Sequence, residues 1–161
     1  MFREEMLMAE STAKNEEMNP KLFVYGSLLQ PLATRVGRYL QANGELLGDA
    51  FAPGRLYDLG HYPGLWYDAG SIKQIYGQVV RLKNPEKALK MLDEYEGIDP
   101  GNPSRSEYRR EEVLASLNGH PVPCWCYLLN RPPDGLPEIF GGNYLDYIED
   151  NGPHRDFLKS V

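Results

Sequence analysis

Glycine and proline interrupt the sequence so often that no long regular helix fits in its middle. One of the two recurs every few positions in "GELLGDAFAPGRLYDLGHYPGLWYDAG", residues 44–70, and the 161-residue chain holds 16 glycines and 13 prolines. Both destabilise helix interiors and are common in turns and at strand bends. The segment therefore predicts bent strands and tight turns, with more strand and loop than helix in the whole chain.

Four apolar segments have the length and composition of strands. Each is rich in β-branched or aromatic residues and ends at glycine, proline or polar residues. The Asn-Gly pair between the last two is typical of a hairpin turn. The predicted strands are 22–25, 74–82, 108–117 and 121–129.

Three other segments have the apolar spacing of helices, with recognisable start and end signals. The predicted helices are one with Pro31 in its first turn that ends before Gly44, one capped by Asn84 that runs to Glu96, and one around Tyr144 that ends before Gly152. Strands outnumber helices and do not alternate regularly with them. This pattern favours a mixed α+β domain around a curled sheet or barrel over a doubly wound sheet.

The chain length fits one domain with a substantial core. Residues 1–19 hold seven charges and no sustained apolar periodicity, so we expect a disordered N-terminal tail. Residues 20–161 are then expected to form a single domain.

Charge and cysteine content exclude several classes of partner. The net charge is −6 and no Lys/Arg cluster is present, which argues against nucleic acid and against an anionic membrane surface. No apolar run reaches the roughly 18 residues of a membrane-spanning helix. Cys124 and Cys126 lie two apart in an apolar run and are expected to be buried, reduced thiols. We therefore expect a cytoplasmic protein.

Metal, serine-hydrolase and nucleotide sites have little support in the sequence. His120, Cys124 and Cys126 fall one ligand short of a closed zinc site. Ser27 lacks the G-x-S-x-G elbow, and no phosphate-binding glycine motif occurs. No metal is expected.

One glutamate occupies an unfavourable position in the predicted second helix. Glu96 lies four residues after Leu92, on the apolar face, at the negative end of the helix and just before Gly97. Glu94 projects away from that face. Desolvation and the helix dipole would both raise the pKa of Glu96 towards the range useful for proton transfer near neutral pH. The alternative is a frayed last turn that lets Glu96 reach water.

The second candidate site is "YGSL", where the first strand stops. Backbone N–H groups left unpaired at such a turn can hold a carboxylate or a carbonyl oxygen. The alternative is a plain strand-to-helix turn in which Ser27 caps the helix.

Five motifs occur in a characteristic order: "FVYGSL", "IYGQVV", "LDEYEG", "YRREEV" and "CWCYLL". Through them the chain resembles the γ-glutamylcyclotransferase-like family, which includes γ-glutamylamine cyclotransferases and AIG2-like plant proteins. The likeness covers about residues 21–130, and "YGSL" is its most specific element.

The resemblance implies an α+β fold, a small mixed β-barrel flanked by helices, with a substrate cavity at "YGSL". Carried over by motif, the substrate-binding loop is Tyr25, Gly26, Ser27 and Leu28, and the catalytic glutamate is Glu96. Tyr108 and Tyr127 occupy positions similar to pocket-lining aromatics. A structural interpretation, in which both simply pack, stays open.

The implied reaction closes a γ-glutamyl compound into 5-oxoproline and releases an amine, with no cofactor. Glu96 would move the proton, and the expected partner is a small-molecule γ-glutamyl substrate. The alternative is a non-catalytic module on the same barrel that binds a small ligand or a protein. The leaving group, the oligomeric state and the pathway stay open.

Overall fold

A computed structural model describes residues 18–161 of the protein. This part of the chain forms six strands, four α-helices and one short 3₁₀ turn. The strands are β1 (Lys21–Val24), β2 (Gly44–Asp58), β3 (Pro63–Tyr67), β4 (Gln74–Leu82), β5 (Tyr108–Leu117) and β6 (His120–Leu129). The helices are α1 (Arg35–Asn43), α2 (Pro85–Tyr95), α3 (Tyr144–Glu149) and α4 (Gly152–Ser160).

Five strands close into a barrel. β1 pairs with β4, β4 with β2, β2 with β3, β3 with β6, and β6 with β1. The two pairings of β6 in this ring are parallel and the other three are antiparallel, so the barrel is mixed. β5 lies outside the ring, antiparallel to β6 along its whole length. The predicted small mixed β-barrel flanked by helices is confirmed.

Fully buried side chains from every strand of the ring form one hydrophobic core. They include Leu22 from β1, Leu56 from β2, Leu65 from β3, Ile75 from β4 and Cys126 from β6. The helix α2 buries one apolar face against this core, as its sequence spacing predicts. Both cysteines are free and buried, as expected.

The first helix begins later than the sequence indicated. Pro31 lies in a turn before α1, and Ala33 adopts a left-handed conformation with φ of 53°, which interrupts any helix there. Thr34 then caps α1, because its side chain accepts a hydrogen bond from the Gly37 N–H at 3.0 Å.

The chain also continues in a helix where the sequence predicted an end. Gly152 and Pro153 were expected to follow the last helix, but they form the first turn of α4. Asn151 caps this helix by accepting a hydrogen bond from the His154 N–H. Proline in a first helical turn is compatible with helix geometry, since its missing N–H would have no intrahelical partner there.

The predicted N-terminal tail falls almost entirely on residues 1–17, which lie outside the described residues. Asn19 is described, and it contacts β6. Its side-chain amide donates to the Pro123 carbonyl at 2.8 Å, and its own carbonyl accepts from the Trp125 ring N–H at 2.9 Å. Within residues 18–161, no helix combines the length and apolar character that a membrane crossing needs.

Strand β4 approaches β1 closely at Gly77. A methyl group at this position would collide with the Val24 carbonyl oxygen and the Phe23 ring. We expect Gly77→Ala to lower the free energy of unfolding by about 1–3 kcal/mol, because backbone on one side of the clash cannot move aside cheaply. Urea denaturation measures this loss, and Gly70→Ala is the matched control because its methyl group would make only an ordinary contact. Equal stability of the two variants would contradict the close approach.

Candidate active site

A cavity of about 320 Å³ opens where β1 ends and α2 ends. Its size suits a small molecule of a few tens of atoms at most. It brings together all seven site residues that the sequence proposed, namely Tyr25, Gly26, Ser27, Leu28, Glu96, Tyr108 and Tyr127.

The loop after β1 lines this cavity and contains backbone N–H groups without acceptors among the described residues. The chain turns at Gly26, whose carbonyl accepts from the Leu29 N–H at 3.0 Å. Within residues 18–161, the N–H groups of Gly26, Ser27 and Leu28 donate no hydrogen bond. A side chain at Gly26 would meet Pro63 at 2.9 Å, so glycine allows the loop to lie against β3. Three consecutive free donors suit a carboxylate or a developing oxyanion.

Ser27 belongs to this cavity and does not cap the following helix. Its hydroxyl lies 3.2 Å from the Tyr95 hydroxyl, and its carbonyl accepts from the Thr34 hydroxyl at 2.9 Å. The capping alternative for Ser27 is therefore wrong, because Thr34 is the cap of α1.

The end of α2 fixes the position of Glu96. Gly97 has a left-handed φ of 72° and donates to the Glu94 carbonyl, while Ile98 donates to the Asp93 carbonyl at 2.9 Å. This pair of bonds is the Schellman arrangement that closes a helix at a glycine. The last turn is thus hydrogen-bonded, and Glu96 lines the cavity while Glu94 is exposed.

The Glu96 carboxyl group is surrounded by protein without a compensating partner. It opens onto the cavity and so retains some exposed surface, but among the described residues no donor bonds to it and no cation pairs with it. Burial raises its pKa to about 8, and the negative charges of Asp93 and Glu107 add to the rise. A carboxyl group in this state can accept or release a proton near neutral pH.

Asp93, one turn before Glu96, has the opposite environment. Arg110 on β5 donates hydrogen bonds of 2.8 and 3.2 Å to the two carboxylate oxygens of Asp93. The Tyr127 hydroxyl also donates to the Asp93 carboxylate, at 2.7 Å. These contacts give both carboxylate oxygens of Asp93 hydrogen-bond partners. Two carboxylates of one helix end are therefore differentiated by their partners, one paired and one left unpaired.

The tyrosine hydroxyls of the cavity bond to the protein. Tyr25 donates to the Tyr127 carbonyl at 2.6 Å and accepts from the Leu65 N–H at 3.1 Å. Tyr108 donates to the Pro63 carbonyl at 2.6 Å, and Tyr127 donates to Asp93. The rings of Tyr108 and Tyr127 bound the cavity, while their hydroxyls brace its wall.

Sequence reasoning missed part of the lining. Tyr62 lies in the β2–β3 loop, Glu107 precedes β5, and Phe157 and Val161 come from the α4 region. The Asn-Gly-Pro signal at residues 151–153 would have indicated α4. Nothing in the local sequence marks Tyr62 or Glu107, since both reach the cavity through the way the barrel closes.

Comparison with known proteins agrees with this geometry. The family model for gamma-glutamyl cyclotransferase, AIG2-like proteins matches residues 22–146. The chain belongs to this AIG2-like gamma-glutamyl cyclotransferase family. It is 32% identical over 127 residues to the gamma-glutamylcyclotransferase family protein YtfP of Escherichia coli K12, an alignment that covers 78% of this chain and 96% of YtfP. Membership supports a cyclotransferase type of activity for this family member.

Solved structures give the same fold. The solution structure of E. coli YtfP superposes with a TM-score of 0.54 at 30% identity, covering 80% of this chain and 98% of that one. An AIG2-like protein from Mus musculus gives a TM-score of 0.60 at 22% identity, covering 78% of this chain and 87% of that one. The second likeness concerns the fold alone.

A half-buried Glu96 without a paired cation among the described residues makes the free energy of unfolding depend on pH in a predictable direction. Its folded-state pKa of about 8 exceeds the unfolded value near 4.5, so folding retains a proton between these pH values. The contribution of protonated Glu96 to the free energy of unfolding is fully present below about pH 4.5 and is lost as pH rises through about 8. At roughly 1.4 kcal/mol per pKa unit, the loss is a few kcal/mol at most.

We expect Glu96→Gln to remove this loss because glutamine carries no titrating proton. Urea denaturation at pH 5.5 and pH 9 should show wild type falling further than the variant. The exposed Glu94→Gln is the matched control and should follow wild type. Parallel pH dependence of wild type and Glu96→Gln would contradict a desolvated, unpaired carboxyl group at this position.

Proposed function

We propose that the protein is a cyclotransferase that converts a γ-glutamyl amine or γ-glutamyl peptide to 5-oxoproline and a free amine. One observation carries the proposal: the unpaired Glu96 carboxyl group shares a cavity with the free N–H groups of Gly26, Ser27 and Leu28. Family membership supports the reaction class. The two free, buried thiols favour a reducing, cytoplasmic compartment.

The reaction needs little beyond positioning and proton transfer. The α-amino nitrogen of the substrate attacks its own γ-carbonyl carbon, so a C–N bond forms and closes a five-membered ring. The tetrahedral intermediate then expels the leaving nitrogen, which breaks the original amide bond. Because nucleophile and electrophile belong to one molecule, holding the substrate folded supplies much of the acceleration.

Glu96 is the proposed proton carrier. As a carboxylate it takes a proton from the attacking nitrogen, and as a carboxylic acid it returns that proton to the leaving nitrogen. A pKa of about 8 keeps both forms accessible near neutral pH. The ammonium group of an arriving substrate would favour the carboxylate form, since among the described residues no other cation faces Glu96.

The loop donors have the complementary role. The N–H groups of Gly26, Ser27 and Leu28 would hold an oxygen of the glutamyl part, either its α-carboxylate or the carbonyl that becomes an oxyanion. The rings of Tyr108 and Tyr127 would limit the space in which the substrate folds. The Tyr25 hydroxyl braces β1 against β3 and β6 behind the loop.

We expect a panel of γ-glutamyl amines and peptides to yield 5-oxoproline with wild type. Glu96→Gln should lower kcat by about 10²–10⁴-fold, the usual contribution of a general acid–base group. With wild type, kcat/KM should rise with pH through about 8 as Glu96 loses its proton, and this rise should be absent in the variant.

Glu94→Gln is the control, because this exposed neighbour lies outside the cavity and should retain wild-type turnover. Equal turnover by wild type and Glu96→Gln would reject Glu96 as the proton carrier. Binding without turnover of any γ-glutamyl compound would favour the non-catalytic binding module.

A further inference from the structure

The helix α4 adds a wall to the cavity from outside the part of the chain that the family model matches. That match ends at residue 146, whereas Phe157 and Val161 both line the cavity. Phe157 lies in the last turn of α4 and Val161 directly follows the helix, four positions later, and both line the cavity. The residues already assigned to the chemistry all lie within the matched part.

The added wall is apolar and aromatic. The Phe157 ring packs on the Tyr62 ring with centroids 5.4 Å apart. The His61 ring also stacks with the Phe157 ring, at a centroid distance of 6.4 Å. Tyr62 in turn lies 6.3 Å from Tyr108, which continues the aromatic surface to β5. The Tyr62 hydroxyl donates a hydrogen bond to the Glu107 carboxylate at 2.7 Å. What Tyr62, Phe157 and Val161 offer a ligand is therefore mainly apolar surface.

Buried polar contacts fix α4 in this position. His154 is fully buried, its Nδ1 shares a hydrogen bond of 2.7 Å with the Tyr144 hydroxyl, and its Nε2 donates to Asp58 at 2.7 Å. Tyr147 also donates to Asp58, at the end of β2. At the far end of α4 the Val161 carbonyl accepts from the Arg35 N–H at 3.0 Å. The helix is thus tied to the barrel at one end and to α1 at the other.

We propose that Phe157 and Val161 determine leaving-group specificity by packing against an apolar stem on the released amine, and that His154 positions them through Asp58. The inference rests on the proposed function and deepens it. The glutamyl part uses polar groups common to the matched region, so the α4 wall is free to select the remainder of the substrate. The favoured substrates are γ-glutamyl derivatives of amines that carry an aliphatic or aromatic stem.

The test uses γ-glutamyl methylamide, n-butylamide and n-hexylamide, which differ only in apolar length. With wild type, kcat/KM should rise with chain length by up to about fourfold for each methylene that is buried. The rise should come from KM, because the stem contacts are the same in the bound substrate and the transition state. Phe157→Ala should flatten this dependence on length. The exposed Lys159→Ala on the same helix is the matched control and should preserve it.

His154 is tested as a positioning residue with two variants. His154→Ala should weaken the dependence of kcat/KM on stem length through KM, with kcat little changed. A purely structural defect would instead lower kcat for all three amides alike. His154→Gln retains a donor for Asp58 and should restore part of the dependence. Thermal melts by circular dichroism test whether each variant is folded. If His154→Ala is unfolded, Phe157→Ala still tests the role of the α4 wall.

A binding measurement separates this inference from the proposed function. Calorimetric titration of Glu96→Gln with the same three amides should show affinity that rises with stem length and loses this trend when Phe157→Ala is added. That result supports the α4 wall even if wild type releases no 5-oxoproline, an outcome that would overturn only the proposed function. Turnover or binding that does not depend on stem length would overturn the proposal that the α4 wall selects the leaving group. The absence of binding by all three amides would overturn it as well.

Discussion

The central feature of this structure is the unpaired carboxyl group of Glu96. Glu96 is desolvated at the C-terminal end of α2, near Asp93 and Glu107, and no cation among the described residues offsets its charge. Other carboxylates have partners: Asp93 pairs with Arg110, Glu138 pairs with Lys73, and Asp58 accepts a hydrogen bond from His154. Selection for stability alone would disfavour Glu96, since an unpaired, desolvated acid lowers stability at neutral pH. The proposed proton transfer would require such a carboxyl group beside backbone donors.

Closure of the barrel makes this arrangement possible. Ser27 and Tyr95 are 68 positions apart in the chain, yet their hydroxyls lie 3.2 Å from each other. The link depends on β1, which pairs with β4 on one side and β6 on the other and delivers its terminal loop to the end of α2. Glycines at 26 and 77 permit the close approach of Pro63 and of β1. The tyrosine hydroxyls, bonded to carbonyls and to Asp93, then brace the same walls that their rings line.

Local sequence signals predicted the elements whose determinants are local. Asn84 and Pro85 begin α2 and Gly97 ends it, so the face on which Glu96 lies followed from helical periodicity alone. The strand at residues 74–82 and the Asn-Gly hairpin were read in the same way. The start of α1 was misplaced because the left-handed Ala33 has no sequence signature, and α4 was missed because glycine and proline were read as an end signal. Tyr62 and Glu107 reach the cavity through tertiary contacts that no local pattern encodes.

The protonation state of Glu96 is the most direct test of this account. A carbon-13 NMR titration of the glutamate side-chain carboxyls, with the Glu96 signal assigned by its loss in Glu96→Gln, measures it without any substrate. We predict a titration midpoint near 8, well separated from the exposed glutamates. A midpoint near 4.5 would show that Glu96 is solvated or paired and would contradict the central claim.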